Sequence, residues 1–97
     1  MDLPFDDLDI RRRRIRFRAW RRGMREMDLI MGGFVDARVR ELGDGELDQL
    51  EALLDADDDA VYLWLSRAVP VPPGYDTPLF HKIAAFHANG PFERGRE

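Results

Sequence analysis

The chain has 97 residues, no cysteine and a formal net charge of −4, with 44% hydrophobic and 35% charged residues. This length and composition are typical of one compact domain, and they exclude a disulfide scaffold, a thiolate metal site and a thiol nucleophile. The charge is segregated, because residues 11–26 carry nine arginines against one acid, whereas residues 41–60 carry nine acids and no base.

No apolar run approaches the roughly 18–20 residues that a membrane-spanning helix needs. Residues 1–7 are acidic and lack the features of a signal or transit peptide. We therefore expect a soluble, cytoplasmic protein with a single domain over residues 1–97. Its helical core is predicted at about 9–89, with a loose acidic N-terminus at 1–8 and a C-terminal tail at 91–97.

The segment before Gly23 is ambiguous between strand and helix. Residues 15–19 alternate between apolar and polar side chains like a strand, whereas Ile10, Phe17 and Trp20 fit one face of a helix. A single strand without a partner elsewhere in the chain is not stable. We therefore predict that the chain begins with a helix.

A second helix of about 17 residues is predicted from apolar side chains at three- and four-residue spacing, on a face that runs from Met27 to Leu42. We expect Gly43 to end this helix as its C′ residue and Asp44 to cap a short third helix. Gly32-Gly33 lies in the middle of the second helix, where each glycine costs about 1 kcal/mol relative to alanine.

An acidic run predicts a fourth helix capped by Asp57 or Asp58. A proline-rich connector at 69–74 cannot be helical, and the fifth helix then begins at Thr77-Pro78 and stops at Asn89-Gly90. The predicted fold class is therefore all-α, a small five-helix bundle. The predicted core includes Met31, Phe34, Leu50, Leu53, Val61, Trp64, Leu65, Ala68 and Ile83.

The sequence contains no recognisable catalytic or metal-binding pattern. His81 and His87 are six residues apart, whereas metal ligands on a helix are three or four apart. The aspartates at 57–59 lack the spacing of a calcium loop, and capping and solvation account for them. We therefore predict no metal site and no enzymatic activity.

The arginines at 11–25 allow two interpretations. Together with Phe17 and Trp20 they could bind nucleic acid through phosphate contacts and base stacking. Against this, the acidic remainder of the chain would repel a phosphate backbone, and the arginines could pair with the acids at 41–60. A nucleic-acid or ribosome-associated module is therefore the alternative function class.

The sharpest local feature is Arg21-Arg22-Gly23-Met24-Arg25-Glu26-Met27-Asp28. Gly23 could simply end the first helix, with Glu26 in the favourable first turn of the next. A glycine also allows the backbone of a partner to approach closely. The number of charged side chains in this turn exceeds what capping requires, which favours a binding function.

Residues 22–26 resemble the RGxxE motif of the succinate dehydrogenase assembly factor 2 family, also called the flavinator or SdhE family. The resemblance covers about residues 10–88, and it includes Asp44-Gly45-Glu46-Leu47, the segment 58–65 and the prolines at 70–73. It implies a five-helix bundle that promotes covalent attachment of FAD to the flavoprotein subunit of succinate dehydrogenase, and of fumarate reductase in some cases, by holding an assembly intermediate in position.

The resemblance also implies which residues bind the partner, because the family's motif docks onto the flavoprotein near its flavin-linking histidine. The implied partner-binding residues are Arg21, Arg22, Gly23, Met24, Arg25, Glu26 and Asp28. The implied protein is a chaperone-like assembly factor, which we expect to be a monomer. It would bind no cofactor tightly and would act on the FAD of its partner.

Overall fold

The computed structural model describes residues 7–87, and these residues form five α-helices without a strand. The helices are α1 (Ile10–Ala19), α2 (Arg25–Arg38), α3 (Asp44–Asp55), α4 (Asp58–Leu65) and α5 (Pro78–Phe86). Short 3₁₀ turns follow α2 at Val39–Glu41 and precede α5 at Pro73–Tyr75. The predicted all-α, five-helix class is confirmed.

One continuous core lies between the helices, and α1 packs mainly on α2 while α5 packs on α3 and α2. Among the predicted core residues, those that are buried are Met31, Phe34, Leu50, Leu53, Val61, Leu65 and Ile83. Trp64 is only half-buried, since its ring stacks on Tyr75 at the edge of the core with centroids 4.9 Å apart. Ala68 was predicted to be buried on α4, but it lies beyond the end of that helix and is exposed.

The predicted helix starts at α4 and α5 are confirmed. The Asp57 side chain accepts a hydrogen bond from the backbone N–H of Ala60. The Thr77 hydroxyl accepts one from the N–H of Phe80 at 3.1 Å, and Pro78 occupies the first position of α5. These caps satisfy backbone N–H groups that have no partner inside the helix.

The prediction for the junction between the second and third helices is wrong in detail. Helix α2 ends at Arg38, and a 3₁₀ turn carries the chain to Gly43. Gly43 is the N-cap of α3 with φ of −84°, so it needs no left-handed conformation. Its N–H donates to the Glu46 carboxylate at 3.3 Å, and Asp44 is already the first residue of α3.

Ile10, Phe17 and Trp20, which fit one face of the predicted first helix, do not form its buried face. Ile10 is 70% exposed and Phe17 is 59% exposed, whereas Ile15 and Ala19 are buried. Trp20 is half-buried at the end of α1, where it packs on the neighbouring helix. The buried face of α1 is therefore formed by Ile15 and Ala19, whereas Phe17 faces solvent.

Gly32 is the position in α2 on which the Trp20 ring, at the end of α1, packs. A Cβ atom there would lie 2.3 Å from the indole of Trp20, so only glycine leaves room for the ring. The indole N–H donates to Asp36 at 3.2 Å. Gly33, by contrast, has no atom within 4 Å of a Cβ position. Packing therefore explains the first glycine of the pair but not the second.

The predicted loose N-terminus at 1–8 is partly folded. Leu8 is buried and Asp7 pairs with Arg40 at 2.7 Å, so these two residues belong to the folded part. The remaining residues of the predicted loose N-terminus, the helix stop at Asn89-Gly90 and the tail at 91–97 lie outside the described residues. Within the described part, no helix combines the length and apolarity needed to cross a membrane.

Candidate functional site

The turn between α1 and α2 carries the predicted site, and its shape depends on Gly23. This residue has φ of +92°, in the left-handed region that side chains other than glycine rarely adopt. No atom lies within 4 Å of the position that a Cβ would take. The backbone conformation therefore requires glycine, and the open space would also allow a partner to approach.

The side chain of Arg22 points from this turn towards the interior of the protein. Its side chain is 11% exposed and pairs with Asp58 at 2.7 Å, where the carboxylate is 18% exposed. The guanidinium also donates to the carbonyl oxygens of Leu54 at 2.5 Å and Ala56 at 3.1 Å. Arg22 therefore ties the turn to the junction between α3 and α4, which gives it a structural role in addition to any contact with a partner.

Asp28 and Met24 also support the turn from inside. The carboxylate of Asp28 accepts a hydrogen bond from the backbone N–H of Arg22 at 2.6 Å. Met24 is the N-cap residue of α2 and packs half-buried against the core. The structure thus brings together Arg22, Met24 and Asp28 as the support of the turn.

Arg21, Arg25 and Glu26 are the side chains that the turn exposes. The guanidinium of Arg21 lies over the Phe17 ring, 4.4 Å from its centroid. Within residues 7–87, Arg25 and Glu26 make no ion pair. Glu26 lies in the first turn of α2, where its negative charge complements the helix dipole. These three charges are available to a partner.

One side of α1 is neutralised by the acidic helix α3. Arg11 pairs with Asp48 at 2.5 Å and Glu51 at 2.8 Å, and these carboxylates raise the pKa of Arg11. Arg18 pairs with Asp55. The expectation that the arginines pair with the acids at 41–60 is confirmed for these residues.

The opposite side of α1 is held by α2 and the 3₁₀ turn that follows it. Arg16 donates to Asp36 at 2.6 Å. Arg12 donates to the carbonyl oxygens of Val39, at 2.9 Å, and Leu42. Most arginines of the basic run therefore stabilise the fold, and fewer cations remain for a phosphate backbone than the sequence suggests.

The predicted partner-binding residues do not include the exposed apolar side chains beside the turn. Phe17 lies under Arg21, and Leu29, one helical turn after Arg25, is 46% exposed. The signal that could have indicated them is their spacing, since Phe17 precedes Arg21 and Leu29 follows Arg25 by one helical turn each. In the described part of the chain, no group of three His, Asp or Glu side chains is placed to hold a metal ion.

The chain is similar to known proteins over a range that includes the residues of this site. Residues 13–87 match the Sdh5 family model, described as the flavinator of succinate dehydrogenase. The chain is 37% identical over 78 residues to the FAD assembly factor SdhE of Acetobacter pasteurianus, a match that covers 80% of this chain and 72% of that protein. No solved structure matches the chain.

Two mitochondrial proteins are also similar to the chain. It is 30% identical over 88 residues to succinate dehydrogenase assembly factor 2 of Candida glabrata, covering 87% of this chain and 58% of that protein. It is 28% identical over 82 residues to succinate dehydrogenase assembly factor 2-B of Drosophila persimilis, covering 82% and 52%. The chain thus spans a little over half the length of these mitochondrial relatives.

Proposed function

We propose that this chain, which belongs to the Sdh5 family of succinate dehydrogenase flavinators, promotes covalent attachment of FAD to the flavoprotein subunit of that enzyme. The observation that carries the proposal is the family match over residues 13–87, which includes the whole turn between α1 and α2. The membership inferred from the motif at residues 22–26 is confirmed by that match. The flavoprotein of fumarate reductase is a second target to test.

The geometry of the turn favours an action by binding. Arg21, Arg25 and Glu26 project from a turn whose backbone is fixed by the buried contacts of Arg22 and Asp28. A rigid scaffold that presents exposed charges can hold a partner in one orientation with little loss of conformational entropy. We infer that the chain keeps the flavoprotein in a geometry in which its histidine and the flavin can react.

In this proposal the chain supplies no reacting side chain and is not an enzyme. The FAD is held by the flavoprotein, and the assembly factor binds none tightly. It acts as a monomer, and its predicted compartment is the cytoplasm. The names of the fungal and insect relatives place those proteins in mitochondria, whereas the name of the bacterial relative gives no location.

The experiment uses cells that lack their own assembly factor. The flavoprotein subunit is expressed with and without this chain, denatured on a gel and examined for flavin fluorescence, which survives denaturation only when the flavin is covalently attached. We expect the chain to raise the fluorescence at equal flavoprotein content. Equal fluorescence with and without the chain would contradict the proposed function.

The alternative of nucleic-acid binding has less support. Arg11, Arg18 and Arg22 pair with acids of α3 and α4, and the acidic residues around them would repel phosphate. Copurification distinguishes the two functions, since nucleic acid would raise the ratio of absorbance at 260 nm to that at 280 nm.

A further inference from the structure

The outer face of α1 is the side of that helix that faces solvent, and we define it by Ile10, Arg14, Phe17 and Arg21. The first three are four and three residues apart and therefore lie on one side of the helix. Ile10 and Phe17 are 70% and 59% exposed, which are the largest exposures among the large hydrophobic side chains of the described residues. Aromatic side chains are enriched at protein–protein interfaces relative to the rest of the protein surface.

The other sides of α1 are occupied by the protein itself. Ile15 and Ala19 are buried against the core, and Arg11 and Arg16 are held by acids of α3 and α2. Arg14, by contrast, is exposed, and within residues 7–87 it makes no ion pair. The outer face therefore combines an unpaired cation with apolar side chains that the fold leaves uncovered.

The outer face is continuous with the exposed turn, because Arg21 belongs to both. Its backbone N–H donates to the carbonyl oxygen of Arg18, which extends the last turn of α1. Its guanidinium covers the Phe17 ring at 4.4 Å from the centroid. A partner that contacts the turn at Arg21 therefore meets the aromatic ring on the adjoining side of α1.

We propose that the outer face of α1 is a second part of the surface that docks the flavoprotein subunit. This inference rests on the proposed function and extends it beyond the turn. The complementary surface on the flavoprotein presents carboxylates to Arg14 and Arg21 around an apolar depression that receives Phe17. Burial of the ring supplies affinity, and the flanking charges fix the orientation of the two proteins.

A protein partner fits this face better than nucleic acid does. Arg11 and Arg18, on one flank of α1, already pair with acids of α3, which leaves fewer cations for a phosphate backbone to contact. A phosphate backbone would also approach the carboxylates of α3 on one flank of α1, among them Asp48 and Asp55, which are exposed. The charge pattern therefore favours a compact acidic patch on a folded partner over an extended polyanion.

The test measures binding of the full chain to the purified flavoprotein subunit by titration calorimetry. The variants Phe17→Ala and Arg14→Glu change the outer face, and Arg67→Glu and Val69→Ala make similar changes at exposed positions between α4 and α5. We expect each change on the outer face to weaken binding about tenfold, as loss of a central interface residue does. The control variants stay within about twofold of the wild type, and all four keep its thermal midpoint to within a few degrees.

The possible results separate this inference from the proposed function. If the wild type binds and both outer-face variants bind equally well, the inference is wrong while the proposed function stands. If the wild type does not bind the flavoprotein at all, both are overturned. A wild-type dimer in sedimentation that Phe17→Ala converts to a monomer would assign the face to a second copy of the chain. Binding of an RNA oligonucleotide that Arg14→Glu abolishes would assign it to nucleic acid, and either finding would overturn the inference.

Discussion

Replacing Arg22 with alanine tests whether this motif residue acts through the fold. The substitution removes the ion pair with Asp58 and the hydrogen bonds to the carbonyl oxygens of Leu54 and Ala56. All three partners lie where α3 ends and α4 begins, so the loss falls on the connection between the turn and the acidic half of the bundle. Asp58 is left half-buried without its cation.

The expected loss of stability depends on how exposed the ion pair between Arg22 and Asp58 is. Breaking a fully buried ion pair by removing one partner costs about 3–5 kcal/mol, and an exposed pair contributes about 0–1 kcal/mol. Because Arg22 is 11% and Asp58 18% exposed, the loss should lie between these limits and nearer the upper one. We expect Arg22→Ala to lower the free energy of unfolding by about 2–4 kcal/mol, a large part of the 5–15 kcal/mol that is typical of a domain.

Thermal and urea unfolding, followed by circular dichroism, measure this effect. Arg25→Ala is the matched control, since it removes an exposed arginine from the same turn and should change stability by less than about 0.5 kcal/mol. Arg22→Lys keeps the charge but not the planar fork, and its stability should be intermediate. If the free energies of unfolding of Arg22→Ala and Arg25→Ala differ by less than about 0.5 kcal/mol, the inward contacts of Arg22 do not stabilise the fold and the reasoning is refuted.

Three further predictions concern packing and pH. Gly33→Ala should stabilise α2 by about 0.5–1 kcal/mol, whereas Gly32→Ala should destabilise it by about 1–3 kcal/mol through the Trp20 ring; equal melting points for both variants would contradict this. Phe34→Ala should cost about 3–5 kcal/mol in urea unfolding and Trp64→Ala about half as much, and a reversed order would show that the half-buried ring is the main core residue. Burial lowers the pKa of His87 below 6.5, so its contribution to the free energy of unfolding is fully present above pH 6.5 and is lost as the pH falls towards the lowered value. His87→Gln should flatten this dependence in melts between about pH 7.5 and 5.5, and an unchanged slope would contradict the assignment.

The parts of the fold that local signals determine could be predicted from the sequence. The caps at Asp57 and at Thr77-Pro78 need only a few neighbouring residues, and both are found where they were expected. The all-α class follows from apolar spacing and from the lack of a second strand segment. The resemblance at residues 22–26 identified the family because its motif lies in an ordered series of features along most of the chain.

The incorrect predictions depend on contacts between distant parts of the chain. Helix α1 has few apolar residues, so periodicity alone does not show whether Phe17 or Ile15 faces the core. The packing of Trp20 on Gly32 also joins two different helices, and no local pattern reveals this contact. The inward orientation of Arg22 depends likewise on an acid 36 residues away in the sequence.

The same limit applies to the role of Gly23. Its φ of +92° means that any larger side chain is strained there even though the surrounding space is open. A Gly23 variant that loses function would therefore not distinguish a docking residue from a turn residue. Glu26 is the better position, because it is exposed and within residues 7–87 makes no ion pair.

The most direct test of the account compares Glu26→Ala with Glu41→Ala, which removes another exposed glutamate. Each variant is expressed with the flavoprotein in cells lacking the native factor, and flavin fluorescence of the denatured flavoprotein is measured alongside the thermal melt of the purified variant. We predict that both variants remain within about 1 kcal/mol of wild-type stability, and that only Glu26→Ala fails to raise covalent FAD. Full restoration of covalent FAD by Glu26→Ala would contradict the account, because the exposed charge of the turn would then have no part in docking the flavoprotein.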